Sequence, residues 1–215
     1  MPTRADHHLR TMRLAKDCRD LGARRSTINH VTGLQPRVVQ HILFPDLKEA
    51  PRGRAPDSQE WYHGANLLCR AESSIFVSIY RRLRDSGFAA GETLVGAYRH
   101  YQSICQCPSR ISFDRAFDLA SHVDGMWLAK SPAFAISTCP DCHSEFVAAV
   151  GTVASSSKHC PFCKLVQRYA TDRRVQSSFP LQALGDPAAI QMRMMALVCP
   201  GHRHAREPDA DRAPE

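Results

Sequence analysis

Apolar residues recur at helical spacing over most of the first 130 residues. Leu14, Cys18 and Leu21 mark a first helix, which Gly22 interrupts. Three longer helices are predicted at about 61–86, 92–104 and 113–130, with Ser112 as the N-cap of the last. Their apolar stripes are wider than one small core needs. Two interpretations follow, packing into a core alone or an additional contact with another subunit.

The pattern changes after Pro132. Short apolar segments predict two strands, at 134–138 and 145–150. A Ser-rich loop follows at 151–158, and a final helix is predicted at 164–174. Beyond about residue 175 the pattern is weak, and the last residues have the composition of a disordered tail. The predicted fold class is mainly α. It comprises a helical domain (1–131), a small module (132–175) and a weakly ordered tail (176–215).

Two C-x2-C pairs lie in the small module. Cys139 and Cys142 form the first pair, Cys160 and Cys163 form the second, and seventeen residues (143–159) separate them. Each pair can bend into a knuckle that points two sulfurs at one ion, and four thiolates make the closed tetrahedral site of structural zinc. A closed site leaves no coordination position for water or substrate. The spacing therefore predicts one structural Zn²⁺ per chain, in a zinc-ribbon-like module with no zinc chemistry.

The remaining cysteines show no ligand spacing and are interpreted as buried or free thiols: Cys18, Cys69, Cys105, Cys107 and Cys199. An odd total of nine cysteines, together with an N-terminus that lacks an apolar leader, argues against a secreted disulfide scaffold. The chain has no run of eighteen apolar residues, so we expect no membrane span. The cytoplasm is the expected location. His202 and His204, near Cys199, are interpreted as incidental residues of the tail.

A second metal interpretation uses the segment His143–Glu145. Followed by a C-x2-C pair, it resembles the H-x-E…P-C-x-x-C arrangement of zinc deaminases, in which one His and two Cys bind zinc and the Glu transfers protons. That arrangement would leave Cys139 and Cys142 without a role, and His159 stands where a proline is expected. These two departures favour a structural zinc site in a protein that is not an enzyme. A zinc-dependent deaminase or hydrolase is kept as the alternative. A zinc-ribbon module that binds only other proteins is a third possibility.

The net charge of +7 favours an anionic partner, with nucleic acid first. Residues 25–43 fit a helix-turn-helix with Gly33 in the turn and Pro36 in the first turn of the second helix. The contacts expected to lock its two helices come from Ile28, Leu34, Val39 and Ile42. Thr32 stands where an aliphatic residue is more usual. Residues of this segment expected to face bases or phosphates are Arg24, Arg25, Gln35, Arg37, Val38, Gln40 and His41.

A second basic surface follows the second cysteine pair. The residues expected to contact phosphates there are Lys158, His159, Lys164, Arg168, Arg173 and Arg174. A solvated basic face is the alternative interpretation of the same residues. Phosphate contacts supply affinity and register, whereas the outward residues of a recognition helix supply sequence preference.

Taken in order, these parts resemble the FlhC family of flagellar master regulators. Leu21–Arg24 is similar to the family's N-terminal segment, and Ala97–Tyr101 is similar to its central helix. Arg115–Phe117, the helix through Trp127 and the two cysteine pairs then follow at family-like spacing. The resemblance covers residues 9–170, and it depends on the order of the parts rather than on any one motif.

The resemblance implies a bacterial transcription activator subunit. Proteins of this family act with FlhD in a hetero-oligomer, expected here to be a heterohexamer. They bind promoter DNA upstream of flagellar operons and assist the housekeeping RNA polymerase. The resemblance also implies that Cys139, Cys142, Cys160 and Cys163 hold zinc, which agrees with the spacing. The wide apolar helices would then offer a surface to FlhD.

Overall fold

In a computed structural model of the chain, the described residues are 3–46, 50–51, 53, 60–105, 109–128, 133–150 and 160–178. Helices dominate these residues, which confirms the predicted mainly α fold. The helices are α1 (Arg4–Asp20), α2 (Arg25–Thr32), α3 (Pro36–Leu43), α4 (Glu60–His63), α5 (Leu67–Asp85), α6 (Ala90–Ile104), α7 (Phe113–Asp124), α8 (Pro161–Tyr169) and α9 (Arg173–Ser178). The strands are β1 (Phe134–Thr138) and β2 (Glu145–Ala149).

Short capping signals define several helix ends. Thr3 and Asp6 form a capping box at the start of α1. The Ser112 side chain accepts a hydrogen bond from the Arg115 amide at 3.4 Å, which confirms the predicted N-cap of α7. Gly125 adopts a left-handed φ of 62° and ends α7. None of the described helices is both long enough and apolar enough to cross a membrane.

Three predicted helices differ from the observed ones. The helix predicted at 61–86 is divided into α4 and α5, because the Asn66 side chain accepts a hydrogen bond from the Cys69 amide at 2.8 Å and starts a new helix. The helix predicted to reach residue 130 stops at Asp124, before Gly125. The helix predicted at 164–174 is replaced by α8 and α9, with a break at residues 170–172. The helix predicted at 92–104 is confirmed as α6.

The two strands form an antiparallel pair. Phe134 lies opposite Ala149, and Thr138 lies opposite Glu145. This register places the turn between the strands over residues 139–144, which include the first cysteine pair. The predicted strands are confirmed, with β2 ending one residue earlier than expected.

Helices α5, α6 and α7 surround the main core. The largest side chains that are fully buried include Tyr80, Tyr101 and Phe76, and the aromatic rings pack in tilted and edge-to-face pairs. Ile75, Ile79 and Leu83 pack against this core while half-buried. The apolar stripes seen in the sequence therefore line the core.

The segments after α7 pack against α5. The Tyr62 hydroxyl donates to the Val147 carbonyl at 2.5 Å, and the Val147 amide donates to the Ser74 hydroxyl at 3.1 Å. Leu165 and Val175 bury a second, smaller apolar cluster with Ala71. All described residues up to position 178 belong to one compact unit, so the described parts of the segments predicted as domains 1–131 and 132–175 share it. The predicted tail lies outside the described residues from 179 onward, including Cys199, His202 and His204.

A buried carboxylate links α5 to the end of α9. Glu72 is 1% exposed and accepts hydrogen bonds from the Tyr101 hydroxyl, from the Arg110 amide at 3.1 Å and from the Arg110 guanidinium at 2.5 Å. The same guanidinium donates to the Ser178 hydroxyl at 2.7 Å. Four segments of the chain therefore meet at one charged pair.

Candidate metal centre and nucleic-acid interface

The four cysteines of the two C-x2-C pairs converge, and their sulfur atoms all lie within 4.8 Å of one another. The Sγ atoms of Cys139 and Cys163 are 3.8 Å apart, and those of Cys142 and Cys160 are 3.5 Å apart. Four thiolates at about 2.3 Å from one zinc ion would stand about 3.8 Å from each other in a regular tetrahedron. The group is thus arranged so that it could hold one metal ion.

The first pair lies in the turn between β1 and β2. The Cys139 amide donates to the Ser144 carbonyl at 3.0 Å, and the His143 amide donates to the Cys139 carbonyl at 3.0 Å. His143 has a φ of 58°, a left-handed conformation that only a few per cent of non-glycine residues adopt. These bonds close a knuckle that turns both sulfurs to one side, as the spacing predicts.

The second pair is part of a helix N-terminus. Cys160 is the N-cap of α8, and its Sγ accepts a hydrogen bond from the Cys163 amide at 3.4 Å. Pro161 occupies the first turn, where its missing N–H costs no hydrogen bond. The second pair therefore also turns its two sulfurs toward one point, as the spacing predicts, and here the first turn of a helix makes the bend.

The first cysteine pair differs electrostatically from the core cysteines, because the pKa values of its two thiols are lowered and those of the core thiols are raised. A hydrogen bond from the Cys142 backbone lowers the pKa of Cys139 to about 6, whereas burial raises the pKa of Cys18 to about 12. Within the cluster, a side-chain hydrogen bond with Cys142 raises the pKa of Cys163, because the bond favours the protonated thiol. A bound divalent cation would favour the thiolate instead, and deprotonated sulfur is the form that binds metal.

The other candidates for metal binding lie outside this cluster. Cys18, Cys69 and Cys105 are buried, as predicted, while Cys107 and Cys199 are outside the described residues. His143 is exposed, and the Glu145 carboxylate accepts a hydrogen bond from the Arg81 guanidinium at 2.8 Å. Among the described residues, the only group suited to a metal is the four-sulfur one. This geometry differs from the His-and-two-Cys site of a deaminase.

Residues 25–43 form two helices joined by a turn, here called the hairpin. Gly33 has a φ of 70° in the turn, and Ile28 and Val39 are fully buried, as the sequence predicts. Ile42 is 51% exposed, so its predicted role in locking the helices is wrong, and its neighbour Leu43 is buried instead. The difference is one of helical phase. Since the side chain at position 43 is four residues from that at 39, it lies on the same face.

The polar Thr32 has a clear place in the turn. Its hydroxyl donates to the Ile28 carbonyl at 2.6 Å and accepts from the Leu34 amide at 3.2 Å. Those two bonds join the end of α2 to the segment leading into α3. A hydroxyl thus takes part in closing the turn where an aliphatic residue was expected.

The hairpin residues predicted to face nucleic acid have different surroundings. Arg37 and Gln40 are exposed on α3, and Gln35 is exposed at its N-cap. The Arg25 guanidinium donates to the Gln40 side-chain oxygen at 3.2 Å and so joins α2 to α3. His41 is also exposed, and Val38 is half-buried. The Arg24 guanidinium is 2.5 Å from the carboxylate of Asp114 on α7, a residue that sequence reasoning missed.

The second predicted basic surface lies on α8 and α9. Arg168, Arg173 and Arg174 are exposed, and Lys164 is half-buried. Lys158 and His159 lie outside the described residues.

No family model matches the chain, and no curated protein matches it in sequence. The four-sulfur cluster and the exposed polar residues of α3, α8 and α9 are therefore the features from which a function is proposed.

Proposed function

We propose that this protein is a DNA-binding transcription activator subunit, which acts with FlhD to switch on flagellar operons through the housekeeping RNA polymerase. The observation that carries the proposal is the hairpin. Its second helix buries Val39 and Leu43 and exposes Arg37 and Gln40, and the N-cap residue Gln35 is exposed as well. Glutamine and arginine are the side chains that pair with adenine and guanine edges in the major groove. The order of sequence segments that resembles FlhC supports the identity of the partner.

In this proposal the two surfaces have different tasks. Arg37 and Gln40 contribute sequence preference, while Arg168, Arg173 and Arg174 contribute salt-dependent affinity through phosphates. Arg25 holds Gln40 by a side-chain hydrogen bond and thereby limits the positions that this glutamine adopts. Such division of labour is common because phosphate contacts carry no sequence information of their own.

The proposed metal is one structural Zn²⁺ per chain, held by Cys139, Cys142, Cys160 and Cys163. Sulfur spacing near the tetrahedral value supports zinc, and four sulfur ligands leave no position for a reacting water. The protein is accordingly proposed to have no enzymatic activity. The cytoplasm is the proposed location, since thiolates persist in a reducing compartment.

FlhD is the proposed partner, in a complex proposed to be a heterohexamer. Most of the apolar stripe residues are covered within the chain, but Ile104, the last residue of α6, is 51% exposed, and Phe88, two residues before α6, is 53% exposed. Single exposed apolar residues are common on protein surfaces, so the order of sequence segments that resembles FlhC carries this part of the proposal. We expect the chain alone to aggregate and co-expressed FlhD to keep it in solution. A stable, monodisperse monomer without FlhD would count against this partnership.

The decisive experiment uses the complex purified after co-expression with the cognate FlhD. Gel retardation with promoter DNA and random DNA, at two salt concentrations, separates base reading from phosphate binding. Arg37→Ala and Gln40→Ala should reduce the preference for the promoter. Arg168→Ala and Arg174→Ala should weaken binding to both DNAs and reduce the slope of log affinity against log salt by about one unit each.

The matched control is Arg82→Ala, which removes an exposed arginine from α5. It should leave both promoter preference and salt slope unchanged. If the Arg37 and Gln40 variants keep full preference, the hairpin is a scaffold and base reading lies elsewhere. Absence of salt-dependent retention for the whole complex would favour a protein-interaction module. X-ray absorption tests the metal separately, because nitrogen or oxygen ligands would support the deaminase alternative.

A further inference from the structure

The N-terminus of α2 is held by a carboxylate from a distant part of the chain. Asp114, in the first turn of α7, is 2% exposed. Its Oδ1 accepts hydrogen bonds from the Arg24 amide at 3.1 Å and the Thr27 hydroxyl at 2.5 Å. Its Oδ2 accepts one from the Arg24 guanidinium at 2.5 Å. One buried side chain therefore receives three hydrogen bonds from the start of the hairpin.

Helix α2 lacks the local signals that usually start a helix. Its N-cap, Arg24, makes no side-chain capping bond, and its first turn contains no acidic residue. The helix is eight residues long, well below the length at which an isolated helix is stable in water. In a capping box, an acid three residues into the helix accepts from the N-cap amide. Asp114 makes the same bond from another helix, and its negative charge suits the positive end of α2.

The anchored residues are close to those proposed to read DNA. Arg24 is bonded to Asp114, and the next residue, Arg25, is bonded to Gln40 on the exposed face of α3. Thr27, the other residue bonded to Asp114, precedes Ile28 in the buried face of α2. The position of α2 on α7 thus sets where the outward face of α3 lies relative to the rest of the molecule. Displacements of about 1 Å are enough to disrupt paired hydrogen bonds.

We propose that Asp114 is a positioning residue for sequence reading by the hairpin. It contacts no DNA itself; it fixes α2 and, through α2, the direction in which Arg37 and Gln40 point. The inference rests on the proposed function, and it deepens that function by separating the residues that read bases from the residue that orients them. It also assigns Arg24 to this anchor within the fold.

Asp114→Asn is the main test, made in the full chain co-expressed with FlhD. The amide has nearly the same shape but lacks the charge and one acceptor oxygen. The control is Asp124→Asn on the same helix, whose carboxylate accepts from the Tyr80 hydroxyl at 2.8 Å and from Arg84 Nε at 2.7 Å, both on α5. It removes a comparable carboxylate without touching the hairpin.

Two readouts are expected to separate the variants. Hydrogen exchange without DNA should speed up in residues 25–43 of Asp114→Asn, but not in those of Asp124→Asn. Preference for promoter over random DNA should fall about tenfold in Asp114→Asn, which is the loss expected when one side chain that hydrogen-bonds to a base edge is misplaced. The slope of log affinity against log salt should stay unchanged. Equal promoter preference in both variants, or unchanged exchange of the hairpin in Asp114→Asn, would overturn the inference.

Thr27 supplies a milder pair of variants if Asp114→Asn does not fold. Thr27→Val removes one hydrogen bond to Asp114 and keeps the side-chain shape, while Thr27→Ser keeps the hydroxyl. We expect promoter preference to be reduced in Thr27→Val and to stay at the level of the unmodified chain in Thr27→Ser. Equal preference in the two variants would overturn the inference. If the unmodified complex shows no promoter preference, both the proposed function and the reading role of Asp114 fail. Hydrogen exchange then still reports whether Asp114 anchors α2.

Discussion

The hairpin (residues 25–43) and the cysteine module are two small regions held in place by different means. The cysteine module is defined here as residues 133–150 together with residues 160–178. The hairpin closes around Ile28 and Val39 and is tied to α7 by Asp114. The cysteine module has one two-stranded pair and two short helices around four sulfurs, and it rests on α5. Packing and one distant carboxylate order the first region. The second gathers four cysteines that could hold a metal ion from residues close in sequence.

This difference decides how visible each region is in the sequence. Metal ligands must have a particular residue type and spacing, so their pattern survives without knowledge of the fold. A helical hairpin is made of ordinary apolar and polar residues, and its anchor lies 90 residues away in sequence. The two regions should accordingly respond to different perturbations.

Loss of metal should have the largest effect and should be confined to the cysteine module. With Cys139→Ser, or after chelation, we expect bound zinc to be lost and hydrogen exchange to accelerate over β1, β2 and α8. The reason is that metal binding energy is folding energy in such a module. Acidification should act in the same direction, because protons displace the metal from thiolates. The hairpin should keep its protection.

The control for this experiment is Cys105→Ser, at a buried cysteine outside the cluster. Its metal content should equal that of the unmodified chain. One tightly bound zinc retained in Cys139→Ser would contradict the proposed ligand set. Equal loss of protection in both regions would contradict their separate stabilisation.

Glu72→Gln should have the next largest effect. Removing the buried charge leaves Arg110 without its ion-pair partner and weakens the link to Ser178, so we expect a loss of about 3 kcal/mol in the free energy of unfolding. Urea denaturation measures it. The control is Glu145→Gln, whose pair with Arg81 is half-exposed and should contribute at most about 1 kcal/mol. Similar losses in the two variants would contradict a special role for the buried pair.

Gly91→Ala should destabilise the side of the molecule that carries the hairpin. A Cβ at this position would lie 2.8 Å from Leu14 Cδ2 and 3.2 Å from Val31 Cγ1, in α1 and α2. We expect a loss of about 1–2 kcal/mol, measured by thermal or urea unfolding. Gly96→Ala in the same helix is the control, because its nearest neighbour would be Leu83 Cδ1 at an ordinary 3.7 Å. That variant should be neutral or up to about 1 kcal/mol more stable.

Substitutions at two left-handed turn residues, Gly33 in the hairpin and His143 in the cysteine module, should have the smallest effects on the free energy of unfolding. The effects should differ in sign. Gly33→Ala forces an alanine into φ 70° in the hairpin turn and should cost about 1 kcal/mol, although a Cβ there meets nothing within 4 Å. His143→Gly relieves a similar conformation in the cysteine knuckle. It should leave stability within about 0.5 kcal/mol of the unmodified chain or raise it. A substantial loss in His143→Gly would indicate that the imidazole has a role of its own.

Several predictions from the sequence failed for one physical reason, which is that helix caps start or end a helix within a stretch of continuous apolar periodicity. The helix predicted at 61–86 was divided by the Asn66 cap, and α7 ended at Gly125. Periodicity reports which residues face a core, but it does not report where the backbone leaves the helix. The exposed Ile42 shows a related limit, since a shift of one residue along a helix turns the apolar face by about 100°.

By itself, the sequence determined the mainly helical fold, the two strands, the turn at Gly33 and the four cysteines that converge. Each of these follows from residue type and short spacing, because the interactions that produce it join residues close together in the chain. The tertiary structure alone decided that β2 and α8 rest on α5, that Glu72 meets Arg110 and that Asp114 holds the start of α2. Those contacts join residues 38 to 94 positions apart. A buried carboxylate is identified only when its partners are known, because the same residue type is usually solvated.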